Sequence, residues 1–325
     1  MPRHEGLPRA TPTILRKRQL LNDLAAIDSD REATQRVLKM EVDFRTRIRA
    51  HVDSLPTEDA IFSKFNTNPF VLMFRSMKKD YRHIGDIEDD ILPAKVFSSM
   101  ETSAGRMVEA VVLPVFGWET VPSEMHTANS ALDGRAKKGD TLCLATLKSG
   151  PRCLNDEMSE NLADAVLANY VEWAAHAGVH KIDFTYGVLY GTPKQSNKKD
   201  WHILRNIEQK LQGGRLVVAP RGVWGLEFEK DGINVAVTIR IGIDLWNYFG
   251  GSTRAFVEMA SAVIRACITP SDTQPTDHRF TIADLPQIIS LKSVPQEFNV
   301  SLLQRSQLEW LFFFARHFCD ELFEA

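Results

Sequence analysis

The sequence has no long hydrophobic run. No stretch of 18 or more apolar residues occurs, so no membrane-spanning helix is expected. Its start, Met-Pro-Arg-His-Glu-Gly, lacks the charged-then-apolar pattern of a secretory leader, and a cytoplasmic protein is expected. Cysteine is scarce: Cys143, Cys153, Cys267 and Cys319 are widely spread and form no Cys-x-x-Cys pair. That usage fits reduced thiols and offers no zinc-site spacing. Gly-x-Gly-x-x-Gly and Walker-type loops are missing, which argues against a nucleotide cofactor. No Gly-x-Ser-x-Gly elbow occurs either. His176 and His180 stand four apart, but Gly178 falls between them at an expected helix end, so zinc is not expected there. An excess of charge is also lacking. With 39 Lys plus Arg against 42 Asp plus Glu, the net charge is −3, which excludes a polybasic protein. Nucleic-acid binding stays open, because it depends on where the charges lie.

What is present is an ordinary globular composition, 44% hydrophobic and 25% charged over 325 residues, enough for one large domain or two moderate ones. Residues 1–12 are polar and carry three prolines, the pattern of an arm. From Ile14 to Ser54 the apolar spacing predicts helices. The first 50 residues hold 11 Lys or Arg against 7 Asp or Glu; most of these are read as solvated helix faces, with phosphate contact the minority reading. We expect a mainly helical region over 1–90, for DNA contact or dimerisation, and a second region over 91–325. The Asp80–Pro93 stretch reads as an acidic loop. Ala94–Val112 reads as a helix ended by Pro114 and Gly117.

Strand-like runs follow. Ala131-Leu-Asp133 leads into Gly134-Arg-Ala-Lys-Lys-Gly139, read as a basic turn, and then Thr141–Lys148, a clear strand closed by Ser-Gly-Pro151. Met158–Ala177 has a helical stripe, Lys181–Tyr190 reads as a strand and Trp201–Leu211 as a helix. Arg215–Leu245 reads as a β-meander with a turn at Lys230–Ile233. Helices are expected at Thr253–Ile268 and Ser301–Phe323, and the aromatic stripe around Trp310–Phe314 suits core or a dimer interface. Helix, hairpin, helix, strand between about 94 and 190 is an α/β unit.

The chemistry concentrates on the hairpin. Leu142, Leu144, Thr146 and Lys148 share one face of their strand, and a lysine ending an apolar strand needs a partner or an open cleft. Asp133, across the turn, is placed to be that partner. Asp140 begins the strand that Lys148 ends, about 26 Å away at roughly 3.3 Å per residue, too far to share a metal with it. A carboxylate and a lysine on neighbouring strands, with carboxylates on flanking helices, suit metal-assisted phosphodiester cleavage.

Asp133, twelve intervening residues and then Thr146-Leu-Lys148 resembles the hairpin of the PD-(D/E)XK nucleases. Lys148-Ser-Gly-Pro151, followed by a polar loop and a helix, is similar to type II restriction endonucleases. Gly105-Arg-Met-Val-Glu109 resembles the helix on which the superfamily often carries an additional glutamate. The resemblance covers about 94–190. The family's second carboxylate position is Thr146 here, and no proline precedes Asp133. Enzymes of this group that read CCGG or CCNGG cores move that carboxylate to the following helix, where Glu160 is similar in kind and Glu157 competes. The resemblance implies a mixed sheet flanked by helices, and a Mg²⁺-dependent, site-specific double-strand DNA endonuclease of a restriction-modification system, acting as a homodimer. It implies Asp133 and Glu160 as metal ligands, Lys148 beside the attacking water, and Glu109 acting through metal-bound water. A repair or recombination nuclease of the same fold, or a non-catalytic DNA-binding protein, are the alternatives.

Taken singly, these residues have ordinary readings: Asp133 as a turn residue, Lys148 as a strand end, Glu109 and Glu160 as solvated helical residues. Their co-occurrence in order favours the site. Candidate DNA contacts are Arg135, Lys137 and Lys138 in the basic turn, Arg152, Asn155 and Asp156 ahead of the helix, and Lys194, Asn197, Lys198 and Lys199 in a lysine-rich loop. Asn155 reads more naturally as a helix N-cap.

Overall fold

The computed structural model describes residues 10–55, 70, 73–74, 79, 83, 85, 88–121, 131–211, 215–218, 224–271 and 280–325. Along the chain come β1 (Ile14–Arg16), α1 (Lys17–Asp28), α2 (Arg31–Asp53) and α3 (Glu88–Val115). Then follow β2 (Glu119–Thr120), β3 (Gly134–Lys138), β4 (Thr141–Lys148), α4 (Asp156–Ala177), β5 (Lys181–Val188) and α5 (Lys199–Leu211). The rest is β6 (Arg215–Val218), β7 (Trp224–Lys230), β8 (Ile233–Ile241), α6 (Ile243–Gly250), α7 (Ala255–Cys267), α8 (Leu285–Ile289), α9 (Arg305–Arg316) and β9 (Glu321–Phe323).

The main sheet is mixed, in the order β2-β3-β4-β5-β8-β7-β6. β4 runs parallel to β5 and β5 parallel to β8, while β2, β3, β7 and β6 pair antiparallel with their neighbours. Strand β4 is buried on both faces, and this is why its sequence reads Leu-Cys-Leu-Ala with no polar alternation. Leu142 and Leu144 pack into a core with α4 and α5; Cys143, Ala145 and Leu147 pack into another with α1, α2, α3, α6, α7 and α9. Helices therefore cover both faces of β4, and only its ends are left for chemistry.

The helix–hairpin–helix–strand order appears as expected, with differences in detail. The expected basic turn is strand β3, and the loop is only Gly139-Asp140, with Gly139 at φ +62°. Pairing of β3 with five residues of β4 outweighs the poor strand propensity of Gly-Arg-Ala-Lys-Lys. Helix α3 runs through Pro114 and ends at Val115, and Gly117 at φ +78° makes the exit turn. The meander stops at Ile241, because Gly242 at φ +60° redirects the chain into α6. The last expected helix is shorter, and Glu321–Phe323 pairs parallel with Ile14–Arg16. Residues 1–9 of the expected arm and most of the expected acidic loop before residue 88 lie outside the described residues.

The N-terminal helices join the body of the fold. Arg36 grips buried Glu258 of α7 with two bonds of 2.7 and 2.8 Å, and Glu41 is held by Arg45 and Arg265. Lys17 is buried and donates to the carbonyls of Gln287 and Ser290 and to Glu324. These cations of the basic N-terminal region hold the fold together.

Candidate active site

Three elements converge at the Lys148 end of the hairpin. The chain reaches β3 through Asp133, whose amide donates to Ala145 O at 2.8 Å, extending the β3–β4 ladder by one residue. The Leu147 amide in turn donates to Asp133 Oδ2 at 2.6 Å, which fixes the carboxylate beside β4. Thr146 sends its hydroxyl to the Ala131 carbonyl and so fastens the segment that carries Asp133.

Glu109 arrives from α3. A methyl group built on Gly105, one turn earlier on the same helix face, would stand 3.4 Å from Ser149 Cβ and 3.8 Å from Leu189 Cδ1. The helix thus lies against the C-terminal ends of β4 and β5. Glu109 is pushed up to about 7, first by burial and then by the negative charge of Asp133, with Lys148 and Arg106 pulling the other way. Asp133 is also raised, by burial, against the Leu147 hydrogen bond and the charge of Lys148. The two carboxylates and the lysine therefore feel one another. The Lys148 ammonium makes no hydrogen bond or ion pair among the described residues.

Glu160 lies elsewhere. It sits on the exposed flank of α4 that faces α5, 3.5 Å from Lys210, and Lys210 also binds Asp164. Since α5 packs over β6, β7 and β8, that flank points away from β3. The charge of Asp133 thus acts on Glu109, while Glu160 is paired with Lys210. Among the described residues no group of three or more His, Cys, Asp or Glu is placed to hold a metal ion. Asp140 sits at the opposite end of β4, 2.9 Å from Lys181, with its carboxyl below the usual range because of that lysine.

Most candidate DNA contacts are engaged within the fold. Arg135 pairs with Glu119 at 2.8 Å, Lys137 donates to the Ala177 carbonyl, and Lys138 lies 5.3 Å over the rings of both Trp118 and Tyr248. Arg152 donates to Gln195 O. Asn155 caps α4 by accepting from the Met158 amide at 2.8 Å, as its position suggested. Asp156 meets Lys199 at 2.5 Å and His202 at 3.2 Å. Asn197 donates to Leu154 O and accepts from the Lys199 amide. Lys198, at φ +67°, donates to the Pro193 carbonyl and lies 5.2 Å over Trp224. The lysine-rich loop is therefore a built structure, centred on buried Asp200 accepting from Ser196, and only Lys194 is both exposed and untied.

The sequence reading missed a second polar group on the other sheet face. Tyr248 donates to Asp183 at 2.8 Å, and the Arg240 guanidinium lies 4.2 Å over the Tyr248 ring. An aspartate inside the apolar run Lys-Ile-Asp-Phe was the available signal.

Searches against protein-family models and against curated proteins give no match to this chain. Among the described residues no helix is long and apolar enough to cross a membrane.

Proposed function

We propose that the chain is a Mg²⁺-dependent endonuclease that hydrolyses phosphodiester bonds of double-stranded DNA, a restriction-type enzyme built on a PD-(D/E)XK core. The observation that carries this reading is the electrostatic coupling of Glu109, Asp133 and Lys148, from one helix and a hairpin, at the C-terminal end of a strand covered on both faces. The surrounding helix–hairpin–helix–strand order agrees with the same resemblance.

Two half-buried carboxylates, both raised by burial and one of them also by the other's charge, need either a proton or a cation. Mg²⁺ is held by one or two carboxylates and keeps several waters, so this donor set fits it. Asp133 and Glu109 would be its protein ligands. When bound, the ion supplies positive charge at the scissile phosphate and acidifies an attacking water. The remaining work falls to the chain. The Leu147 amide occupies one oxygen of Asp133 and leaves the other free of hydrogen bonds among the described residues. Lys148, tied to no protein acceptor, orients the attacking water and balances charge that develops at the phosphate. Thr146 fixes the approach of Asp133 through the backbone.

A palindromic site is most simply cut by a two-fold symmetric homodimer, which sedimentation at working concentration measures. The deciding assay incubates the purified chain with plasmid and phage DNA, with Mg²⁺ and with chelator. Discrete Mg²⁺-dependent fragments are expected. A smear or structure-dependent nicking turns the reading to a repair nuclease. DNA binding without cutting leaves a non-catalytic binder, a reading favoured only by the engagement of Thr146 with Ala131.

A further inference from the structure

Resting on the nuclease reading, we infer that Arg106 is the side chain that grips the phosphate being cut. The cations first expected to hold DNA are mostly tied to protein: Arg135 to Glu119, Lys137 to Ala177, Arg152 to Gln195, Lys199 to Asp156. Each would have to break a hydrogen bond to reach a phosphate. Arg106 is exposed and makes no hydrogen bond or ion pair among the described residues.

Its position is set by the fold. Gly105 lies against Ser149 and Leu189, so the next residue emerges at the C-terminal ends of β4 and β5, beside the residue that follows Lys148. Arg106 also precedes Glu109 by three residues, the spacing at which helical side chains are neighbours. Its charge accordingly acts on Glu109. A helix packed on the strand ends thus offers a carboxylate inward and a guanidinium outward from one turn.

The chemistry needs such a group. A phosphodiester brings one negative charge and gains another as the attacking oxygen bonds to phosphorus. Lys148 is a single point charge beside two carboxylates. A guanidinium adds a planar pair of donors matched to two phosphate oxygens, where an ammonium offers none in fixed geometry. Arg106 is the untied cation placed to do this without displacing either carboxylate.

The test compares wild type, Arg106→Ala and Arg106→Lys, in two measurements on one duplex. The single-turnover cleavage rate in Mg²⁺ is expected to fall roughly 100-fold in Arg106→Ala, the usual loss for one transition-state donor. Equilibrium binding in chelator, followed across salt concentrations, is expected to lose about one unit from the slope of log K against log salt. Arg106→Lys should restore the slope but only part of the rate. Thermal unfolding should match for all three, since Arg106 is exposed and unbonded. Cleavage and salt slope equal to wild type in Arg106→Ala overturn this inference and leave the nuclease reading standing. Wild type that binds duplex without cutting removes the nuclease reading and this inference with it, and the salt slope then tells only whether Arg106 contacts a DNA phosphate. No binding by wild type removes both.

Discussion

The two ends of the β3–β4 hairpin carry the same kinds of residue and treat them oppositely. At the loop end, Asp140 pairs with Lys181, Lys137 donates to the end of α4 and Lys138 lies over two aromatic rings. Asp140 is held below the ordinary carboxylate range by its lysine. At the other end, Asp133 and Glu109 are both held above it, burial being the largest cause, and Lys148 has no partner. Charges at the loop end are neutralised by the protein itself. Those at the Lys148 end are partly desolvated and act on one another without closing an ion pair among the described residues. A fold bears that cost where something outside the chain completes the site.

The contrast breaks most sharply at Asp133. Asp133→Asn keeps the shape and an acceptor for the Leu147 amide but removes the charge. Cleavage is expected to fall at least roughly 1,000-fold, with the thermal midpoint unchanged or raised, because a desolvated charge is relieved. A midpoint that drops sharply while cleavage persists would make Asp133 a structural residue. Lys148→Met, which keeps the apolar stem, should cost roughly 100- to 1,000-fold in rate with little change in duplex binding. Equal losses in binding and rate would instead make Lys148 a simple phosphate contact.

Much of this end was legible in the sequence. The continuous apolar run of β4 and the lysine closing it stand as read, because a strand covered on both faces carries no polar alternation; Asp133, expected to pair with Lys148, instead accepts from the Leu147 amide. Which helical glutamate stands within electrostatic reach of Asp133 was not legible. Glu109 and Glu160 are both helical glutamates, and which flank of each helix meets the sheet end is decided by packing: α3 by Gly105 against Ser149, α4 by α5 alongside it. The internal bonding of the lysine-rich loop was not legible for a related reason. Its amides and lysines look like nucleic-acid contacts, but they close the loop on the 151–156 segment through Asn197 and Lys199. The β1–β9 pairing joins residues more than 300 apart and leaves no local signal at all.

Glu109 gives the sharpest use of pH. Its folded pKa of about 7 lies above its ordinary value, so the metal-free fold takes up a proton that the unfolded chain releases. The stabilising contribution is complete below the ordinary carboxylate range and is lost as pH rises through about 7. Metal binding needs the ionised form and runs the other way. At limiting Mg²⁺, cleavage should climb as pH rises through about 7 and level above it, and more Mg²⁺ should move the midpoint down. Glu109→Gln should flatten that limb, slow cleavage roughly 10- to 100-fold and remove the matching slope from metal-free stability. An unchanged pH profile would take Glu109 out of the site.

The smallest expected effects belong to the charges the protein has already neutralised. Glu160→Ala removes a 3.5 Å contact to Lys210, but Lys210 keeps Asp164, and both glutamate and lysine face solvent. Asp140→Asn removes an exposed pair with Lys181. Solvent screens exposed pairs of this kind, which contribute little to stability, so thermal midpoints should barely move and cleavage should stay within about twofold of wild type. For Glu160 the result carries weight beyond its size. If Glu160→Ala abolishes cutting while binding persists, the metal pair is Asp133 with Glu160, and α4 must rotate its outer flank toward β3 when DNA binds. Near-wild-type cutting keeps the pair as Asp133 with Glu109, and makes the α3 turn from Arg106 to Glu109 the second half of the site.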